Sequence, residues 1–159
     1  MQILFRFALF FKKVTIFCSL SIVTCTVLVI LFLTLEPFNF SLQVFQDGFD
    51  VKDNCRSFFQ FTPARDVARN ILLFSPFGFG ITAFCHRIKL KSRTILFLVL
   101  IASFGLSFLV ESLQMFLPPR CPSLSDLVAN SLGGFLGFAC LNYILVWISN
   151  FQKGDRTRI

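Results

Sequence analysis

Residues 111–137, ESLQMFLPPRCPSLSDLVANSLGGFLG, place charged and amide side chains in a short turn between two strongly apolar segments. The two prolines at 118 and 119 end one helix, and Ser123-x-x-Asp126 is typical of the start of the next. We therefore predict two apolar helices joined by a polar turn. The polar residues around this turn are Glu111, Gln114, Arg120, Asp126 and Asn130.

The rest of the chain has the composition of a membrane protein. Of its 159 residues, 55% are hydrophobic and 14% are charged, and the mean hydropathy is +0.77. About 20 apolar residues cross the roughly 30 Å hydrocarbon core at about 1.5 Å per residue. We predict one domain over 1–159, an all-α integral membrane bundle of four transmembrane helices. The predicted features are an interfacial segment over 1–13, spans at about 14–35, 66–85, 94–117 and 124–149, and an outward loop over 36–65.

The basic residues predict the orientation of these spans. Ten of the 15 Lys and Arg lie in the N-terminal segment, in the loop 86–93 and in the C-terminal tail. Four spans place these three regions on one side, so the positive-inside rule predicts both termini in the cytoplasm, N-in and C-in. The formal charge of +7 also suits a nucleic-acid partner. Short basic clusters between apolar segments argue against that partner.

The six cysteines are scattered, with no CxxC pair and no histidine at ligand spacing. We therefore predict no metal site and no cofactor. The single histidine, His86, is assigned to the basic loop. Cys55 and Cys121 fall in loops on the same predicted outward side, and a disulfide between them is an open alternative to two free thiols.

The predicted topology brings seven polar side chains to the outer end of the bundle. Residues three or four positions apart share a helix face, and Ser103 and Ser107 continue the face of Glu111 toward the helix interior. This face should point into the bundle and away from lipid. No catalytic residue is assigned. The predicted ligand-binding residues are Asp66, Asn70, Glu111, Gln114, Arg120, Asp126 and Asn130.

Structural roles compete with a ligand-binding role for several of these residues. Asp66 and Asp126 lie in the first turn of a helix, where a carboxylate stabilises free amides and the helix dipole. Glu111 lies near a helix C-terminus, the wrong end of the dipole, although an ion pair with Arg120 could hold it there. The stripe Ala129, Gly133 and Gly137 is typical of close helix packing and permits a homo-oligomer; it could also leave room for a ligand.

These residues resemble a known family, over about 63–137 in motif. The resemblance is to the VanZ-like family of small bacterial membrane proteins, named after a teicoplanin-resistance protein found with glycopeptide-resistance genes. It implies a multi-pass protein of the bacterial cytoplasmic membrane and cell envelope. Some members carry an additional acid shortly after the arginine; Ser123 stands in that region here, which weakens any metal site. The matching residues are Asp66, Asn70, Phe74, Pro76, Gly78, Glu111, Gln114, Arg120, Asp126, Asn130, Gly134 and Gly137.

The segments DVARN at 66–70 and DLVAN at 126–130 also resemble each other, which leaves open two tandem helical hairpins or a chance similarity.

Three functions fit these expectations, and whether the chain is an enzyme stays open. The first is binding of an envelope lipid, glycan or amphiphilic drug at an outward-facing polar cleft, which modulates surface properties or glycopeptide susceptibility. The second is an enzyme that modifies a lipid-linked envelope precursor. The third is a small transporter. The implied partners are membrane lipid, a lipid-linked envelope precursor or a glycopeptide.

Overall fold

The computed structural model describes residues 2–41, 63–117 and 123–156. These residues form helices α1 (Gln2–Leu35), α2 (Ala64–Arg87), α3 (Ser92–Gln114) and α4 (Leu124–Arg156), with no strand among them. The predicted all-α bundle of four membrane-spanning helices is confirmed; its orientation and its division into tandem hairpins stay predictions. The segments long and apolar enough to cross a membrane are Ile16–Leu35, Ala64–Arg87, Ser92–Gln114 and Leu124–Ile148.

Helix α1 is continuous from Gln2, and its candidate span begins at Ile16; the interfacial placement of residues 1–13 stays a prediction. Residues 2–35 contain no glycine or proline to interrupt the helix. The hydroxyls of Thr26 and Thr34 donate to carbonyls four residues earlier, at 2.7 Å and 2.6 Å, which satisfies them within an apolar segment. The helix ends before Glu36-Pro37, as expected from the restriction that proline places on the residue before it.

Helix α2 extends to Arg87, so the assignment of His86 to the loop was wrong. Asp66 in its first turn and His86 and Arg87 in its last turn complement the helix dipole. The side chain of His86 also contacts α4, where its Nε2 lies 3.2 Å from Oδ1 of Asn142.

The closest packing in the bundle is between α2 and α4, where α4 presents glycine. A Cβ atom on Gly137 would overlap the carbonyl oxygen of Ser75 and lie 2.5 Å from the amide nitrogen of Phe79. A Cβ on Gly133 would lie 2.5 Å from the carbonyl oxygen of Ile71. The two backbones are therefore in direct contact, and the predicted packing role of these glycines is confirmed.

The apolar core lies in the middle of the bundle. Ile30, Phe74, Phe77 and Val110, from α1, α2 and α3, form its main cluster. A second cluster joins α2 and α3 near the turn between them. Many large apolar side chains outside these clusters are exposed, as expected for surfaces that face lipid rather than water.

Candidate functional site

The polar face of α3 points into the bundle, as predicted. Ser103 and Ser107 are 0% exposed, Glu111 is 5% exposed and Gln114 is 7% exposed. The face extends from Ser103 to Gln114, or about 16 Å along the helix. Buried polar groups in a membrane-spanning helix are expensive unless they find partners, so the partners of these side chains decide what the face does.

A polar cavity of about 140 Å³ lies at the end of the bundle where α3 ends and α2 and α4 begin. Five of the seven predicted ligand-binding residues line it. Asp66 does not line it, and Arg120 lies outside the described residues. The lining residues are Thr34, Arg69, Asn70, Val110, Glu111, Gln114, Asp126 and Asn130.

Two hydrogen bonds fix the α3 side of the cavity. Gln114 donates from Nε2 to the carbonyl oxygen of Thr34 at 2.9 Å, which ties the end of α3 to the end of α1. Oε2 of Glu111 accepts the amide hydrogen of Ser123 at 2.9 Å. Glu111 therefore stabilises the start of α4, because its side-chain oxygen accepts the amide hydrogen of the residue just before the helix. This contact gives the carboxylate a structural role that does not need Arg120.

Asn130 forms the α4 side of the cavity, and only part of its amide is satisfied. Its Nδ2 donates to Oγ of Ser107 at 2.8 Å. The residue is 3% exposed, and its Oδ1 accepts no hydrogen bond from any residue that the structure describes. An unmet buried acceptor costs about 1–3 kcal/mol, so this oxygen is a position where a hydrogen-bond donor would be favourable.

The polar face continues beyond the cavity at Ser103. Its Oγ has no hydrogen-bond partner within the described ranges. Gly134 lies beside it, and a Cβ on Gly134 would overlap this hydroxyl. The small residue thus leaves space that the serine hydroxyl occupies.

Sequence reasoning missed three members of the cavity, the apolar Val110 and the polar Arg69 and Thr34. Arg69 is exposed, so it lies at the rim and brings a positive charge beside two carboxylates. Its position next to Asn70 in the DVARN segment was a usable signal. Thr34 contributes its backbone carbonyl to Gln114, and no side-chain pattern predicts a backbone contact between two distant helices.

An apolar groove of about 720 Å³ begins at the same end of the bundle, between the first turns of α2 and α4. All but one of its lining residues belong to the candidate spans, and an open apolar surface on a span is typical of one that faces lipid. Its lining is Pro63, Ala64, Val67, Ala68, Ile71, Leu124, Ser125, Val128, Ala129 and Leu132. A polar cavity and an apolar groove thus occur together at this end.

Comparison with known proteins identifies a family but no individual relative. The chain matches the family model described as VanZ/LLP1 over residues 3–147. The match covers both the cavity and the helices that form it. Neither the curated proteins nor the solved structures include a match to the chain.

Proposed function

The chain belongs to the VanZ/LLP1 family, and from the cavity at the end of its helix bundle we propose that it binds the polar head of an envelope lipid or lipid-linked glycan. The observation that carries the proposal is Oδ1 of Asn130, a buried acceptor without a hydrogen bond from the described residues. A head with a hydroxyl or amine hydrogen supplies the missing donor.

The other lining groups indicate the chemistry of that head. Glu111 and Asp126 contribute carboxylates, which accept hydrogen bonds when ionised. Arg69, at the rim, can bind an oxygen or an anionic group. A polyol or sugar, which offers several hydroxyl donors and oxygen acceptors, satisfies this combination. The volume of about 140 Å³ is room for roughly four or five water molecules, so one polyol or one sugar edge enters.

The apolar groove between α2 and α4 supports an amphiphile over a free sugar. It starts at the cavity end of the bundle, and its apolar lining on two candidate spans suits a lipid chain. A lipid whose head reaches the cavity can lay its acyl or polyprenyl chain there without leaving the membrane.

The predicted N-in/C-in orientation gives this binding a consequence for the cell. It would place the cavity at the outer surface of the cytoplasmic membrane, where lipid-linked envelope precursors are exposed. Occupancy would then change the availability of such lipids and so alter surface properties, glycopeptide susceptibility included. The orientation therefore needs its own test.

Native mass spectrometry of the detergent-purified protein tests the binding proposal. Diglucosyl diacylglycerol, whose sugars donate hydrogen bonds, is titrated against phosphatidylcholine, whose head has no N–H or O–H donor. We expect the glycolipid to bind more tightly. Asn130→Leu should weaken glycolipid binding about three- to tenfold, the value of one hydrogen bond.

Asn142→Leu is the matched control, because it removes an asparagine of the same helix near the other end of the bundle. Asn142 also makes an interhelical contact, at 3.2 Å to His86. It should leave glycolipid binding unchanged. Equal binding of the two lipids by the wild type, or full glycolipid binding by Asn130→Leu, would contradict the proposal.

An enzyme that modifies a lipid-linked precursor is the second candidate, and one observation favours it. Glu111 and Asp126 line the same cavity, and paired carboxylates can act as general acid and base. The hydrogen bond from the Ser123 amide to Oε2 of Glu111 counts against this candidate, because it gives the carboxylate a structural role. Mass spectrometry of a lipid-linked precursor incubated with wild type, Glu111→Gln and Asp126→Asn distinguishes the two candidates. A product that forms with the wild type but with neither variant would identify the protein as an enzyme.

A further inference from the structure

A cluster of basic residues lies at the opposite end of the bundle from the cavity, around the turn between α2 and α3. All of its cations are exposed. We propose that this cluster, called the basic turn, binds the headgroups of anionic phospholipids in the surrounding bilayer. The cations of the basic turn are Arg87, Lys89, Lys91 and Arg93.

The basic turn has no acidic neighbour along its own helices. No Asp or Glu lies between Asp66 and Glu111. Asp66 is about 31 Å from Arg87 along α2, and Glu111 is about 27 Å from Arg93 along α3, from the rise per residue. Both distances exceed the Debye length of about 8 Å at physiological salt. On α4, Asp155 lies beyond the candidate span and between basic residues. An external anion is therefore the natural partner.

The length of the turn favours lipid as the source of that anion. Its connection between α2 and α3 is residues 88–91, and both helices are candidate spans along their whole length. Four residues reach at most about 13 Å when fully extended, and a turn that returns to the membrane reaches about half of that. The cations therefore lie within the headgroup layer, about 5–7 Å thick on each side, at the depth of the lipid phosphates.

Contacts with the rest of the bundle hold the turn in place. Oδ1 of Asn142 accepts a hydrogen bond from Ser92 at 3.5 Å and lies 3.2 Å from Nε2 of His86. Leu90 packs on the cluster of Cys85, Ile95 and Val99. A pre-positioned turn loses little conformational freedom when a headgroup binds.

Lipid selectivity separates this proposal from a role in topology alone. If the charges act only through the positive-inside rule, they are needed during insertion, and the inserted protein has no preference among lipids. If they form a binding surface, the inserted protein prefers anionic lipids. Each Lys or Arg near a membrane surface favours anionic lipid by up to about fivefold, and this preference weakens as salt increases.

Trp147 reports the lipids at this end of the bundle. It is the single tryptophan of the chain, it is 60% exposed, and it lies five residues after Asn142, about 7.5 Å further along α4. Its fluorescence is measured in bilayers that contain brominated phosphatidylglycerol or brominated phosphatidylcholine. The ratio of quenching by the two lipids gives the local preference, and lipid in the distant cavity does not contribute.

We expect wild type to prefer phosphatidylglycerol and to lose that preference at about 0.5 M salt. Lys89→Gln with Lys91→Gln should reduce the preference by up to about fivefold per lysine, whereas Lys89→Arg with Lys91→Arg should retain it. Arg65→Gln is the charge control, because Arg65 is exposed at the cavity end. Inorganic phosphate should compete no better than chloride at equal ionic strength.

Three results would each overturn the proposal: an unchanged preference in the double glutamine variant, an equal loss in Arg65→Gln, or a preference in wild type that does not respond to salt. Displacement by inorganic phosphate would also overturn it, in favour of a site for soluble anions.

Discussion

Gly137→Ala tests whether backbone contact between α2 and α4 holds the cavity together. The new methyl group would overlap the carbonyl oxygen of Ser75 and lie 2.5 Å from the amide nitrogen of Phe79. Both are backbone atoms inside α2, so they cannot rotate away, and the helices must separate. Overpacking of this kind costs about 1–3 kcal/mol, which exceeds the gain of up to about 1 kcal/mol that alanine brings over glycine within a helix.

Gly105→Ala is the matched control, because a Cβ on Gly105 meets no atom within 4 Å. It should keep the full helix-propensity gain and stabilise the protein by up to about 1 kcal/mol. Gly134→Ala should fall between the two. Its Cβ would overlap Oγ of Ser103, which can rotate, although Cβ of the same serine lies 2.8 Å away.

Reversible unfolding in SDS, followed by far-UV circular dichroism, measures these three free energies in one detergent system. The expected order of stability is Gly105→Ala, then Gly134→Ala, then Gly137→Ala, with about 1–3 kcal/mol between the extremes, because the propensity gain is common to all three variants and only the overpacking cost differs. If Gly137→Ala were as stable as Gly105→Ala, the α2–α4 backbone contact would not exist as described. The control also removes helix propensity as an explanation for any difference.

Three further outcomes check other parts of the molecule. Ser107→Ala removes the oxygen that accepts the hydrogen bond from Asn130 and should destabilise the protein by about 0.6–1.7 kcal/mol in SDS unfolding. Ser112→Ala should leave stability unchanged, because the Ser112 hydroxyl donates only to the Phe108 carbonyl of its own helix. Glu111→Gln keeps an acceptor for the Ser123 amide but cannot carry a negative charge, so hydrogen exchange at the start of α4 should quicken about fivefold, the equivalent of about 1 kcal/mol; an unchanged rate would show that charge adds nothing to this bond. A Lys89→Cys variant without native cysteines should react with an impermeant maleimide only after cells are opened; labelling of intact cells would reverse the N-in/C-in prediction.

Much of the architecture could be predicted from sequence because lipid imposes simple rules. A span must be apolar, about 20 residues long and helical, so hydropathy alone located α2 and α3 to within a few residues. The ends of the long helices were harder. α4 continues past the predicted end of the span at 149 to Arg156, because the polar segment after the span contains no proline and its Gly154 lies within two residues of the helix end.

The site could be predicted in part, because helical periodicity places side chains on faces but does not determine which faces meet. The polar face of α3 from Ser103 to Gln114 was predicted to be buried, and the structure confirms this. Asp66 shares a face with Asn70 by spacing, yet Asn70 lines the cavity and Asp66 does not. The predicted pair of Glu111 with Arg120 involves a residue outside the described part of the chain. The bond from Ser123 to Glu111 joins a backbone group to a side chain 12 residues away, and side-chain patterns carry no signal for it.

We have proposed separate partners for the two ends of the bundle, and α2, α3 and α4 connect these ends. Glu111 and Asp126 lie at the cavity end, whereas the basic turn is about 30 Å away along α2. At that distance screened electrostatics cannot couple the two ends, so a change of charge at the turn should leave the cavity unaffected. A shift of α4 against α2 can affect both ends, unlike a change of charge. Asn130 and Asn142 lie on the same helix, one on each side of Gly137. A shift at the glycine contact can therefore couple headgroup binding in the cavity to lipid selectivity at the turn, and Gly137→Ala is a substitution that should alter both.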